Sequence, residues 1–536
     1  MTRISLSLSA FSLIQLLLIF TTSGVTADPL HIPVHRKRSA PRDVHYYAAA
    51  ADRVRAKYGF PTTGSGSSKK RNGASISARF GKRASSAGIS ITDQDDDASY
   101  FATLSIGTPS VGHLHFRTRC GLLAFNHLCK ISSLTRSFGC QSCDGQTPTF
   151  DSSKSSSFKS SSSSSSSSKG GQTTIQYGSG AVAGALAQET VELGGFTVQG
   201  QTFLLADELT SGLLDGPVSG IMGLGFEAIA STDSTPFWQA LVNAGDLSSP
   251  EMSFWLARES SSSSTTTVDG DTEVPGGVFT LGGTNTSLFS GNVEFLDTQG
   301  TPSFWLLNMN ALTVQSKSVS LGSSSQLSAI DTGTTLIGGP TDAVQNFYSS
   351  IEGSSTVEGQ QGFFSFPCST SLNTTISFGG TAWPISSADM NLGPVSKDSS
   401  DCLGGIFDLS LGSNIPENSG NPTWVVGDVF LKNVYTVLRG TASSSSDTPA
   451  IGFAQLSTSA GGSGTVSSPS SALAGSSAAL TTTSALPSAT SGTTTGNADS
   501  GSSSSSSNGS LRSFKRMSGM VLNGFILLGV VPSLFL

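Results

Sequence analysis

Ala329-Ile330-Asp331-Thr332-Gly333-Thr334-Thr335-Leu336-Ile337 is an apolar run interrupted by one acidic tripeptide and resumed at once. An apolar strand delivers Asp331 to a tight turn. Gly333 lets the backbone come close, and the Thr hydroxyls hydrogen-bond the carboxylate and its neighbours. A carboxylate held this way is half of a hydrolytic device. Cleaving a peptide bond without a metal or a covalent intermediate takes two carboxyls sharing one proton, one acting as base on water and the other as acid toward the carbonyl oxygen. Asp-Thr-Gly by itself also occurs in ordinary turns, so its surroundings decide.

Five further segments surround it. Trp424-Val425-Val426-Gly427-Asp428-Val429-Phe430-Leu431-Lys432-Asn433-Val434-Tyr435 follows about 95 residues on, and Gly216-Pro217-Val218-Ser219-Gly220-Ile221-Met222-Gly223-Leu224-Gly225 precedes it. Gly277-Val278-Phe279-Thr280-Leu281-Gly282-Gly283 lies between. Ile175-Gln176-Tyr177-Gly178-Ser179-Gly180, with Gly184, and Ser99-Tyr100-Phe101-Ala102-Thr103-Leu104-Ser105-Ile106-Gly107-Thr108-Pro109 come earlier. In this order they resemble the landmarks of the pepsin-like aspartic proteases. The resemblance implies an all-β, bilobal fold with the active-site cleft between two similar β lobes. It also implies hydrolysis of protein or peptide substrates at acidic pH, with Asp331 as a catalytic carboxylate and Thr332, Gly333 and Thr334 around it. Tyr177, Gly178 and Ser179 would form a flap over substrate, apolar cleft walls would favour apolar side chains beside the scissile bond, and no metal or organic cofactor is needed.

The second carboxylate is missing. After Gly-Thr-Pro the family places a strand ending in its first Asp-Thr-Gly, yet no Asp or Glu occurs from Ala98 to Cys143. Residues 112–139 are therefore aberrant, and the strand and its following Trp are expected to be lost with the Asp. Either the sequence as written is locally wrong, through a translated intron or frame slip, or the chain is an inactive homologue that binds peptides or proteins without turnover. A third class, a structural wall glycoprotein, rests on the ends of the chain alone. His113, His115, Cys120, His127 and Cys129 are potential zinc ligands, but their spacing matches no zinc template, and a local Cys120–Cys129 disulfide is an alternative.

Composition agrees with a secreted, β-rich body. Only 12% of residues are charged, 61 are Gly, and the alternating runs Ala187–Phe196 and Phe304–Val314 read as strands. Short helices are expected near Pro236–Ala244 and Thr341–Ile351, and no long 3.6-period segment stands out. Residues 1–27 read as a signal peptide, with an apolar stretch from about Leu6 to Phe20 and small residues Val25-Thr26-Ala27 before the cut. Residues 28–83 carry 13 Lys and Arg against 3 Asp, a net of +10, which with Arg3 leaves −18 on residues 84–536 of a chain whose total is −7. A basic segment ahead of an acidic body suits a propeptide that neutralises cleft carboxylates, with Lys82-Arg83 as a cut for a kexin-type protease. It does not suit nucleic-acid binding in a secreted chain.

The N-terminal lobe is expected over residues 84–293 and the C-terminal lobe over 294–455. Residues 456–508 are a Ser/Thr-rich stalk, and 509–536 have the order of a glycosylphosphatidylinositol signal, with attachment at Asn508 or alternatively Gly501 or Ser502. With that order the chain resembles the yapsin-like, surface-anchored members of the family, held at the outer face of the plasma membrane or cell wall, and is expected to be a monomer. Six cysteines fit an oxidising compartment. The family resemblance implies a Cys368–Cys402 bridge and a small Cys140–Cys143 loop, with redox chemistry the alternative for the latter pair. Asn285 and Asn373 head glycosylation sequons.

Overall fold

The computed structural model describes residues 29–37, 43–64, 101–110, 113–119, 128–129, 150–160, 172–177, 180–209, 218–258, 266–268, 271–322, 326–412 and 421–462. All lie in the first of two units, residues 1–476; the second, 477–536, which contains Asn508, lies outside the described residues, as do Cys140 and Cys143.

The described chain is mostly strand, as expected for an all-β bilobal fold. A 15-stranded sheet runs from Phe289–Asp297 through Ala450–Leu456, Val434–Arg439, Glu251–Leu256, Asp271–Leu281, Leu30–Lys37, Phe101–Ile106 and Gly180–Leu193 to Phe196–Leu209 and Leu128–Cys129. The N-terminal strand Leu30–Lys37 thus sits inside the sheet, antiparallel to Asp271–Leu281 along its whole length. The alternating run Ala187–Phe196 is not one strand. Gly194 and Gly195 take φ of 59° and 93°, a pair of left-handed conformations that reverses the chain into a hairpin between Gly180–Leu193 and Phe196–Leu209. Phe304–Val314 divides likewise, into Leu306–Asn308 and Ala311–Val314 on different sheets.

A five-stranded sheet carries Asp331, in the order Leu306–Asn308, Leu327–Ile330, Trp424–Val426, Ile337–Gly339, Ile406–Asp408. Trp424–Val426 runs parallel to the strand entering the acidic turn and antiparallel to the one leaving it. It is gripped between the two arms of one loop. Trp424, Val425 and Val426 are all buried, so both faces of this strand are covered, and an unbroken apolar run is what such a position requires. Gly427 has to be glycine, because a Cβ there would lie 2.0 Å from the Thr334 carbonyl oxygen. Two four-stranded sheets complete this half, and the structure bonds Cys368 to Cys402, with their Cα atoms 4.9 Å apart.

Helices form at Phe237–Ala244 and Thr341–Ser349, each preceded by a proline whose fixed φ suits the entry to a helix. A 14-residue helix, Val44–Lys57, was not anticipated. The Asp43 side chain accepts from the Tyr46 amide at 2.9 Å, capping its start, and Gly59 follows its end with φ 80°. It has little amphipathic pattern because most of it is covered: Tyr47, Ala48, Ala50, Ala51, Val54 and also Asp52, Arg55 and Lys57 are buried.

Candidate active site

Asp331 is wholly buried at the end of its strand, with its amide donating to the Val426 carbonyl at 3.0 Å. One carboxylate oxygen, Oδ1, accepts from the Gly333 amide at 3.0 Å, and Oδ2 accepts from Thr334 Oγ1 at 2.6 Å. The Asp428 and Val429 amides donate to the Thr334 and Thr335 carbonyls at 2.8 and 2.9 Å, locking the turn to the helix that follows Gly427. The carboxylate is thereby aimed by backbone on both sides. Thr332 is buried within the same turn.

Two residues complete the environment of Asp331, and neither was named from sequence. Lys57 Nζ donates to Oδ2 in a salt bridge whose side chains are 1% and 0% exposed, and Tyr58 Oη donates to the same oxygen at 3.1 Å. Lys57 also stands 5.0 Å from the centre of the Tyr58 ring, and that ring contacts Phe304 at 5.3 Å. The basic end of helix Val44–Lys57 therefore stops on the acidic turn. A cation there is favoured twice, by the carboxylate and by the negative end of the helix dipole. The sequence held one hint, a basic segment before an acidic body. It gave no pointer to which of its 13 cations would reach a carboxylate 274 residues away.

Arg55 anchors the same helix. It is buried, donates through Nη1 to Asp52 at 2.8 Å and through Nη2 to the Asp408 carbonyl at 2.7 Å, and lies 5.1 Å from the centre of the Phe407 ring. Burial pulls the guanidinium below its ordinary value, opposed by the hydrogen bond and charge of Asp52 and by the charge of Asp408.

The counterpart of Asp331 in the other lobe is found by register. Ser328, Ala329 and Ile330 pair in parallel with Trp424, Val425 and Val426; Arg117, Thr118 and Arg119 pair in parallel with Ile221, Met222 and Gly223. Laying Ile221-Met222-Gly223 over Val425-Val426-Gly427 puts Thr118 at the place of Ile330 and Arg119 at the place of Asp331. The strand expected to be lost with the Asp is therefore present, at His113–Arg119, paired with Phe101–Ile106 as well. Within the strand its terminal residue departs from the requirement, and in the sequence Arg119-Cys120-Gly121 stands where Asp-Thr-Gly would, with Cys120 in place of the Thr. Among the described residues, the partners of the Asp331 carboxylate are Lys57, Tyr58, Gly333 and Thr334, none of them a carboxyl.

The remaining sequence candidates fall as follows. Tyr177 ends the strand Gln172–Tyr177 and pairs with Gly180; Gly178 and Ser179 lie outside the described residues. His113 and His115 sit on the Arg119 strand and Cys129 on Leu128–Cys129; Cys120 and His127 lie outside the described residues. Asn373 is exposed, and Asn285 is half-buried with its Oδ1 accepting from Ser287. The two lobes' motifs are tied by Trp305, whose Nε1 donates to the Leu224 carbonyl at 2.8 Å while its own carbonyl accepts from the Ile330 amide at 2.9 Å.

Comparison with known proteins agrees with this geometry. Residues 99–456 match the model of the eukaryotic aspartyl protease family. Major aspartyl peptidase 1 of Cryptococcus neoformans var. grubii is 37% identical over 383 residues, 69% of this chain and 71% of that protein. An aspartic protease of Phaffia rhodozyma is 31% identical over 273 residues, covering 50% and 60% of the two chains, and pepsin A of Sus scrofa is 27% identical over 343, covering 64% and 78%. A turn-borne buried carboxylate on a gripped strand, a second motif in matching register and a family match over two thirds of the chain lead to one conclusion: this chain belongs to the eukaryotic aspartyl protease family and is, by that kinship, an aspartic-type endopeptidase.

Proposed function

We propose that the chain is the precursor of a secreted, surface-anchored acid endopeptidase, kept silent by residues 28–83. The observation that carries this reading is the buried Lys57–Asp331 pair with Tyr58 closing on the same oxygen. A cation inserted on a catalytic carboxylate both fills the place of the attacked carbonyl and prevents the carboxylate from accepting a proton from water. Once that pair is broken, the basic segment is free to leave. Signal peptide, cut after Lys82-Arg83, stalk and glycosylphosphatidylinositol anchor at Asn508 supply the route to the outer face of the membrane or wall.

In the working site, Asp331 shares a proton with a second carboxyl; one activates water against a peptide carbonyl while the other protonates its oxygen. Thr334 and the Gly333 amide hold Asp331 in line, and the hairpin bearing Tyr177 covers the substrate. The second carboxyl belongs at position 119, where this sequence has Arg. A binding homologue without turnover is the second reading, and the retained strand His113–Arg119 favours it, because an exchange at one position of an intact strand is how a carboxylate is lost by substitution.

Sequencing the transcript across residues 112–139 separates a misread message from a true exchange. The decisive assay uses the chain as written beside a R119D/C120T variant. The variant is expected to gain pepstatin-sensitive cleavage of denatured protein at about pH 4 and the parent to bind pepstatin without cleaving. Cleavage by the parent that survives D331A would sink the assignment.

A further inference from the structure

The place where Arg55 is held is built mostly by the body of the chain. Its Nη2 and Nε donate to one acceptor, the Asp408 carbonyl, at 2.7 and 3.2 Å, and Nη2 also reaches the Gln361 carbonyl at 3.5 Å. The Phe407 ring faces the guanidinium. Gly362 forms the wall: it has φ +84°, and a Cβ on it would lie 2.5 Å from Arg55 Nη2 and fill the space the guanidinium uses. The floor is rigid. The Asp408 amide donates to the Gly362 carbonyl at 2.8 Å, and the Asp408 carboxylate accepts from Thr341 Oγ1 at 2.9 Å and from the Leu411 amide at 2.8 Å. That carboxylate adds negative charge beside the pocket without being spent on Arg55 itself. Of the groups around the guanidinium, only Asp52 comes from the helix that carries it.

We propose that this seat becomes an arginine subsite of the processed chain, accepting a guanidinium from a peptide substrate once the basic segment has gone. The inference rests on the reading of residues 28–83 as a removable propeptide. Its chemistry is specific. Converging carbonyl oxygens beside an aromatic face want a planar cation with several fixed donors, which arginine supplies and lysine does not. Apolar side chains would leave the Asp408 and Gln361 oxygens bare, at the cost of unsatisfied buried acceptors. The seat's Phe407 and Asp408 lie on the edge strand of the same five-stranded sheet whose turn carries Asp331, with two strands between them and the strand entering that turn, so the subsite selects away from the scissile bond.

The test uses the chain cut after Arg83, with the basic segment removed by gel filtration in acid. Binding is read by fluorescence anisotropy with a peptide of residues 43–63, a twin with citrulline in place of Arg55, and a R55A twin. The same arginine and citrulline pair is also placed in an unrelated extended host peptide. Citrulline keeps the shape and removes the charge, and these probes leave the protein unaltered. Arginine peptides of both hosts are expected to bind at least about tenfold tighter than their citrulline twins. Gly362→Ala, checked by thermal melting, is expected to erase that preference while leaving the R55A peptide's affinity unchanged. Equal binding of arginine and citrulline twins, in either host, overturns the subsite. Failure of the basic segment to leave at any pH overturns it too, and is distinguished because it removes the propeptide reading at the same time.

Discussion

Lys57→Met isolates the contact that silences the site. Methionine retains much of the apolar stem beside Tyr58 and deletes the ammonium, leaving the Asp331 carboxylate with only Tyr58 and its own turn. Both partners are at most 1% exposed, so water does not screen the pair. Removing one member of such a buried pair costs about 3–5 kcal/mol. Tyr58 and Thr334 still donate to the stranded charge, which places the expected loss at the lower end, about 3 kcal/mol, or roughly a hundredfold in the opening equilibrium of the helix. Because the carboxylate regains water when the helix lifts, the loss falls on the seating of residues 44–57 rather than on the lobes. The assay is native-state hydrogen exchange of the Val44–Lys57 amides at neutral pH. Asp331→Asn should loosen the helix similarly, by stranding the ammonium, and the double variant should lose less than the two singles combined. Unchanged exchange in Lys57→Met at neutral pH would refute the account.

Two further outcomes concern the second lobe. The Cys368–Cys402 bridge joins residues 34 apart, and loop closure on that scale stabilises by about 4 kcal/mol, so replacing both cysteines by Ala should lower the urea midpoint accordingly; an unchanged midpoint contradicts this. Tyr348 is buried, donates to the Ile406 carbonyl at 2.7 Å and stacks on Phe364, and burial pushes its phenol far above its ordinary value. The folded state therefore holds this proton more tightly than the unfolded chain. Its contribution is complete below about pH 10 and is lost as pH rises further, so Tyr348→Phe should show a smaller alkaline loss of stability, and an identical pH profile would count against it.

What could be read in the sequence was local and apolar. Ala329–Ile337 and Trp424–Tyr435 declare themselves because a strand gripped between the arms of one loop is buried on both faces and tolerates few polar residues. The strand His113–Arg119 was legible in principle, since Leu114, Phe116 and Thr118 alternate with two histidines and two arginines; the absence of an acid at its end hid it. The helix Val44–Lys57 escaped for another reason. Its stability comes from its seat, and buried Arg55 and Lys57 erase the two-sided pattern by which helices are recognised. No rule of spacing connects Lys57 to Asp331, because that pairing, across 274 residues, exists only once the helix is seated on the folded chain.

The placement of Leu30–Lys37 has a consequence for maturation. Proteolysis after Arg83 severs the covalent link but leaves an eight-residue ribbon zipped against Asp271–Leu281 in the middle of a sheet. Pulling it out exposes a row of main-chain donors and acceptors on Asp271–Leu281, the condition that invites one chain to pair with another. A processed molecule must therefore either keep that ribbon as a non-covalent lodger or refill the slot with a different length of its own polypeptide, and mass spectrometry of the acid-treated protein under native conditions would tell which.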